Sequence, residues 1–331
     1  MADQLDPKSM PIASHMIDFS SCKVAILIPC YNEETTIRNV VDDFRRVLPA
    51  ACVYVYDNNS TDRTMDVAIE AGAVVRSEPA QGKGNVVRRM FSDIDADIYV
   101  MVDGDNTYEA AAAPRMIQAL LSGSMDMITG KRVTEIQAAY RPGHRFGNAL
   151  LTWLVTLIFG RATTDMLSGY RVFSRRFVKS FPALSTGFQI ETELTVHALE
   201  LRLPVAEVDT AYMDRPAGST SKLNTYRDGI RILRLITELI KDERPIQFFT
   251  VIALALTGLA AILATPVLIE YLNTGLVRRF PTVGVASALM ILAALSFFAG
   301  LILDTVSRGR REMKRLLYLQ QPGVVIQPRS S

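Results

Sequence analysis

Cysteine is scarce in this sequence: Cys22, Cys30 and Cys52 are the only three in 331 residues. Their spacing makes neither a disulfide framework nor a metal pattern, which fits small buried or incidental thiols in a reducing compartment. The stretch MADQLDPKSMPIASHMIDFSS lacks the basic start and continuous apolar core of a signal peptide, so it is expected to be a frayed lead-in. No internal repeat and no low-complexity tract is present, which argues against a solenoid or a disordered scaffold. A net charge of +2 gives no reason to expect a nucleic-acid partner.

The sharpest shortage is local. No formal charge occurs from Phe248 to Ile269 or from Phe280 to Leu303. As helices these 22 and 24 residues would be roughly 33 and 36 Å long, enough for a hydrocarbon core of about 30 Å. Neither has the polar face of a long soluble helix, so two transmembrane helices are expected. Arg227, Arg231, Arg234, Lys241 and Arg244 precede the first span, and Arg308, Arg310, Arg311, Lys314 and Arg315 follow the second. The connecting loop offers Arg278 and Arg279. This asymmetry predicts a hairpin with both termini in the cytoplasm, and the flanking cations favour anionic headgroups. The segment YRDGIRILRLITELIKDERP puts Ile230, Leu233, Ile236 and Ile240 on one face, as an amphipathic helix at the membrane surface would. A docking helix within the soluble domain remains the alternative. NALLTWLVTLIFG is apolar but too short to span, and reads as an interfacial or core helix.

Upstream, apolar runs alternate with helical patterns. KVAILIPCYN, CVYVYDNNS, AVVRSE and DIYVMVDGD read as strands, separated by helices that include EETTIRNVVDDFRRVLP and TDRTMDVAIEAGA, the latter closed by Gly72. This order predicts an α/β domain with a mostly parallel sheet and helices on both faces. Ligands of such sheets bind at the carboxyl ends of the strands, where Asp57, Asp103 and the Pro-Cys-Tyr-Asn-Glu turn would fall. The expected organisation is a lead-in over 1–21, a catalytic domain over 22–225, a juxtamembrane helix over 226–246, a membrane hairpin over 247–305 and a basic tail over 306–331.

Asp103-Gly104-Asp105 sets two carboxylates on a tight turn at the end of a buried strand. They either cap the turn or hold a hard divalent cation that keeps other positions for phosphate oxygens. Asp57 could accept hydrogen bonds from a nucleobase or ribose, while Ser60 or Thr61 could cap the following helix and Asp62 suits its first turn. In QGKGN, two glycines flank Lys83 before a helix. Backbone amides and an ammonium could meet an anion there, and a plain helix entry fits equally well.

Taken in order, VAILIPCYNEE, VYDNNSTDRT, QGKGN, VDGDNTY, GKR, DMLSGYRVFSR, GFQIETEL and RPAGSTSKL resemble family 2 glycosyltransferases with a GT-A fold. More narrowly, the chain is similar to polyprenyl-phosphate glycosyltransferases: dolichyl-phosphate mannose synthases and bacterial undecaprenyl-phosphate glucosyltransferases. The resemblance covers about residues 22 to 245, and two membrane helices fit the anchored members. It implies that Pro29, Tyr31, Glu33 and Asp57 hold the nucleotide, with Lys83 and Gly104 beside the same pocket. Asp103 and Asp105 would bind Mg2+ or Mn2+ on the diphosphate. Many relatives carry DADLQ where this chain has DGDNT, so a glutamine ligand is missing and Thr107 or water would replace it. Arg132, Arg145, Asn148, Arg215 and Lys222 would face phosphates of donor or acceptor, as arginine forks fit phosphate oxygens.

The implied reaction is inverting transfer of a hexose from UDP-glucose, GDP-mannose or a related donor to a polyprenyl phosphate at the bacterial inner membrane. A lipid phosphate is already anionic at neutral pH, so no strong base is needed. Asp165 in DMLSGYR would orient the acceptor or assist weakly as a base, or structure the loop with Ser168 and Gly169, and Ser168 is also expected to contact ligand. A processive synthase would need a Gln-x-x-Arg-Trp element, and the one tryptophan, Trp153, lies in LLTWLV instead. A soluble or protein hydroxyl acceptor, and a non-catalytic membrane scaffold, are the other readings. A homo-oligomer is left open.

Overall fold

A computed structural model describes residues 17–133, 156, 164–187, 189–213, 237–238 and 240–323. The chain forms two compact units, Met1–Thr225 with Lys314–Ser331, and Tyr226–Met313. The NALLTWLVTLIFG segment and most of the predicted juxtamembrane helix lie outside the described residues, as do Arg145, Asn148, Arg215 and Lys222.

The first unit is built on seven strands: β1 (Val24–Cys30), β2 (Cys52–Asp57), β3 (Val74–Ser77), β4 (Ile98–Met101), β5 (Met127–Val133), β6 (Arg171–Ser174) and β7 (Val205–Ala211). They form one sheet in the order β3-β2-β1-β4-β6-β5-β7. β1, β2, β3 and β4 pair in parallel, as do β5 and β7, whereas β6 runs antiparallel to β4 and β5. All the strands except β6 therefore end at one edge, and the chain enters β6 from that same edge.

Both faces are covered, which is why the strands read as apolar runs rather than alternating ones. Ile26, Ile28, Val53, Val55, Val100 and Val172 pack on one face against α1 (Ile37–Val47), α2 (Thr64–Glu70) and α4 (Ala113–Ser122). Their neighbours Ala25, Leu27, Tyr56, Tyr99, Met101 and Phe173 point to the other face. There they meet α3 (Lys83–Asp93), α5 (Arg175–Ser180) and α6 (Ile190–Glu200). The period-two alternation of a strand thus divides one buried sheet between two cores. α2 ends as expected at Gly72, whose φ of +85° suits a residue without Cβ.

His197 on α6 sits edge-on to Phe177 and Phe181, its Nε2 lies 3.4 Å from Ser180 Oγ, and its buried Nδ1 has no partner among the described residues. Burial, with Lys314 adding repulsion, pushes it down to about 3. The folded chain keeps this ring neutral while the unfolded chain protonates it near its usual 6.5. Stability present above that value should therefore be lost as pH falls towards 3, by up to about 1.4 kcal/mol per pH unit. His197→Gln is expected to flatten this dependence in urea unfolding between neutral and mildly acidic pH; an unchanged slope would refute it.

The second unit contains α7 (Pro245–Thr274) and most of α8 (Phe280–Leu319), two helices long and apolar enough to cross a membrane. Apart from Pro245, their buried positions recur every seventh residue: Ala253, Ala260 and Val267 on α7, and Ala286, Ala293, Gly300 and Ser307 on α8. Small side chains at this spacing let two helices approach closely along one seam. A Cβ on Gly300 would come within 2.9 Å of Phe249 Cβ. α8 continues beyond the expected end of the second span and carries the basic residues from Arg308 to Arg315. Within the first unit, Lys314 pairs with Glu200 at 2.7 Å and Tyr318 donates to Asp126 at 2.8 Å.

Candidate active site

The common strand edge gathers most of the described residues that the sequence singles out. β1 ends in the Pro29–Glu33 turn, β2 ends in Asp57, β4 leads into Asp103-Gly104-Asp105, and β5 carries Arg132 near its end. Asp57 is buried; its Oδ2 accepts from the Ser60 amide at 3.0 Å, while its Oδ1 has no partner among the described residues. A buried carboxylate oxygen left open in this way suits an N–H or hydroxyl of a ligand. Tyr31, on the turn that follows β1, is 37% exposed.

The loops that bear these residues brace one another. Ser60 Oγ accepts from the Asn32 amide at 2.8 Å, and the Thr61 amide donates to Asn32 Oδ1 at 2.8 Å. Helix α2 starts only at Thr64, so Ser60 and Thr61 do not cap it as expected; they join two loops instead. Asp62 accepts from the Thr64 amide at 3.0 Å, close to its expected place. The Glu33 amide donates to Thr64 Oγ1, and the Thr36 hydroxyl donates to the Gly104 carbonyl at 2.7 Å, with Glu33 Oε2 3.2 Å from the same hydroxyl oxygen. Gly104 leaves room for Cys30, whose Sγ would be 2.7 Å from an added Cβ.

The glycines around Lys83 answer a packing need. An added Cβ would meet the Thr186 carbonyl oxygen at 2.1 Å from Gly82 and the Ser185 oxygen at 2.0 Å from Gly84. They let the chain over residues 185–186 cross the start of α3. Lys83 itself points to the aspartates: its Nζ is 2.5 Å from Asp103 Oδ1 and 2.6 Å from Glu191 Oε1. Burial opposes its charge, but Asp103 and Glu191 outweigh burial and hold the ammonium above its usual range. Glu191 was not singled out from the sequence, although it lies in the quoted GFQIETEL; nothing local marks which of its acids turns inward.

Asp105 is 4% exposed, and its Oδ1 accepts from Thr107 Oγ1 at 2.6 Å. The Thr107 hydroxyl proton thus orients Asp105, and its oxygen keeps the lone pairs that a cation ligand needs. Among the described residues no group of three or more His, Cys, Asp or Glu could hold a metal alone. The donors fit Mg2+ or Mn2+ that takes most of its oxygen ligands from outside the protein.

Arg132 and Asp165 form a fork: Nε and Nη2 donate to the two carboxylate oxygens, each at 2.7 Å. The guanidinium also lies 5.5 Å from the Tyr212 ring centroid. Asp165 sits at the head of a loop held from both sides, with Glu207 accepting from the Thr164 amide at 2.7 Å. Ser168, expected to contact ligand, is fully buried and donates to the Gly130 carbonyl at 2.6 Å, so it ties the loop to β5. Arg171 is also fully buried, donating to the carbonyls of Ser168 and Met166 and to Thr195 Oγ1.

A mostly parallel sheet with helices on both faces and carboxylates collected at its carboxyl edge defines an α/β protein whose ligand site lies at that edge. The family described as Glycosyl transferase family 2 matches residues 25–181. Glycosyltransferase AglJ of Haloferax volcanii is 34% identical over 304 residues, covering 90% of this chain and 98% of the relative. A dolichyl-phosphate hexose transferase of the same organism is 27% identical over 69% of this chain and 99% of its own length. Glucosyl-3-phosphoglycerate synthase from Mycobacterium tuberculosis, solved with Mn2+, uridine-diphosphate and glucosyl-3-phosphoglycerate, has the same fold. Its TM-score is 0.55 at 23% identity, over 67% of this chain and 80% of that one. The chain belongs to glycosyltransferase family 2 and is a glycosyltransferase of GT-A fold.

Gly169 tests how tightly the aspartates are placed. A Cβ there would lie 2.2 Å from Asp103 Oδ2 and 2.7 Å from its Cγ. Gly169→Ala should push the carboxylate aside and cut sugar-nucleotide turnover on the order of 100-fold. Turnover near the parental rate, with circular dichroism unchanged, would refute the placement.

Proposed function

We propose that the protein is a membrane-anchored inverting transferase that moves a hexose from a nucleotide diphosphate sugar to a polyprenyl phosphate. The observation that carries this reading is the Asp103-Gly104-Asp105 turn at the carboxyl edge, on a chain that also has two helices fit to cross a bilayer. The similarity to a protein named dolichyl-phosphate hexose transferase supports the acceptor class. The Mn2+ and uridine-diphosphate complexes of a protein with the same fold support the donor class.

In this reading the open Oδ1 of Asp57 and the exposed ring of Tyr31 receive the nucleoside. Asp103 and Asp105 hold Mg2+ or Mn2+, which supplies Lewis-acid stabilisation to the departing diphosphate. Thr107 fixes the rotamer of Asp105, and Lys83 fixes that of Asp103. The acceptor phosphate attacks as an anion, so the chain needs to position it rather than deprotonate it. The geometry of Asp165 supports that economy: both of its carboxylate oxygens accept from the Arg132 guanidinium, which engages the side chain in the fork. The basic residues beside the apolar helices support a cytoplasmic catalytic unit at the headgroup plane.

The test is a donor panel on the full chain in nanodiscs with a short polyprenyl phosphate. Labelled sugar should become extractable into organic solvent with release of UDP or GDP. Label that appears only in water-soluble or protein-linked product would refute the acceptor.

A further inference from the structure

The carboxylate that heads the cation site already holds a cation of the protein's own. Lys83 Nζ bridges Asp103 Oδ1 and Glu191 Oε1, and the side chains of Lys83, Glu191 and Asp103 are 10%, 7% and 29% exposed. Charge-assisted contacts at a largely buried ammonium are strong, and its repulsion of another cation is less screened than in open water. A divalent ion arriving alone must share Asp103 with this ammonium and approach its positive charge. A nucleotide diphosphate changes both terms. Its oxygens give Lys83 another anionic partner, and they bring the cation ligands that the chain does not supply.

We infer that Lys83, steadied by Glu191, is a latch on Asp103 that makes divalent-cation binding conditional on the nucleotide diphosphate. The inference rests on the proposed role of Asp103 and Asp105 as the cation's protein ligands. Lys83 and Glu191 are positioning residues that act through Asp103. Lys83, at the first turn of α3, and Glu191, at the first turn of α6, come from the helices that cover one face of the sheet. By linkage, whatever factor the nucleotide adds to cation affinity, the cation adds to nucleotide affinity.

Mn2+ titration of the full chain in detergent, followed by electron paramagnetic resonance with and without UDP or GDP, tests this without turnover. In the parent, one of the nucleotides should tighten Mn2+ binding about tenfold or more. Lys83→Met should bind Mn2+ alone about tenfold more tightly than the parent, because Asp103 and Glu191 lose their internal cation. Glu191→Gln should shift it the other way, since Lys83 then belongs to Asp103 alone. A merely structural lysine would not move Mn2+ affinity in opposite directions in the two variants. Equal parental affinities with and without both nucleotides would overturn the latch, as would a folded Lys83→Met variant that binds Mn2+ no better than the parent. Should Lys83→Met fail to fold, the parental and Glu191→Gln titrations decide. A parent that binds no Mn2+ under any condition overturns the latch and the cation reading together. Nucleotide-dependent Mn2+ binding without transfer to polyprenyl phosphate supports the latch and refutes only the acceptor.

Discussion

Asp105→Asn is expected to lower sugar transfer about 1,000-fold while leaving the fold intact. The amide keeps the shape of the side chain and an oxygen for the Thr107 hydroxyl, which donates at 2.6 Å. What it loses is the negative charge that would hold the divalent cation against the departing diphosphate. Asp105→Ala removes that acceptor as well and leaves a buried hydroxyl unsatisfied, at a cost of about 1–3 kcal/mol. The alanine variant should therefore be less stable than the asparagine variant but equally inactive. The measurement is turnover over a rising series of Mg2+ or Mn2+, with thermal unfolding alongside. Asparagine-variant activity within a few-fold of the parent would remove Asp105 from the reaction.

The second large effect concerns Arg132 and Asp165. Their side chains are 17% and 8% exposed and meet through two bonds of 2.7 Å. Removing either partner leaves the other charge in a poorly solvated place, which typically costs about 3–5 kcal/mol. Arg132→Met and Asp165→Asn should each unfold at much lower urea concentration. The double variant should recover part of that loss, with a coupling of about 1–3 kcal/mol. In kinetics, Arg132→Met should weaken use of the lipid acceptor more than binding of the sugar nucleotide. Strictly additive stability losses would show that the fork contributes little, and unchanged acceptor kinetics would remove Arg132 from the acceptor site.

The residues differ in how openly the sequence declares them. β1, β2 and β4 are legible because a sheet covered on both faces needs uninterrupted apolar strands. β6 is less so: RVFS has four residues, inside a segment read for its motif, and its reversed direction depends on which neighbours it pairs with. Asp57, Asp103 and Asp105 could be placed at the ligand edge because Asp57 ends such a strand and the other two lie in the turn just after one. Ser168 was misjudged for a plain reason: a hydroxyl in a loop looks the same in sequence whether it turns to a ligand or to a carbonyl, and here the Gly130 carbonyl claims it.

By itself, the sequence determined the two apolar helices, the alternating strands and helices, and the acids that end the strands. Each of these follows from local pattern: run length, period, and the residue at a turn. Tertiary structure alone decided which charges meet. Lys83 and Glu191 lie 108 positions apart and Arg132 and Asp165 lie 33 apart, so no spacing rule could pair them. Ion pairs are short-ranged in space and indifferent to chain separation, and only the folded sheet edge brings those partners within reach.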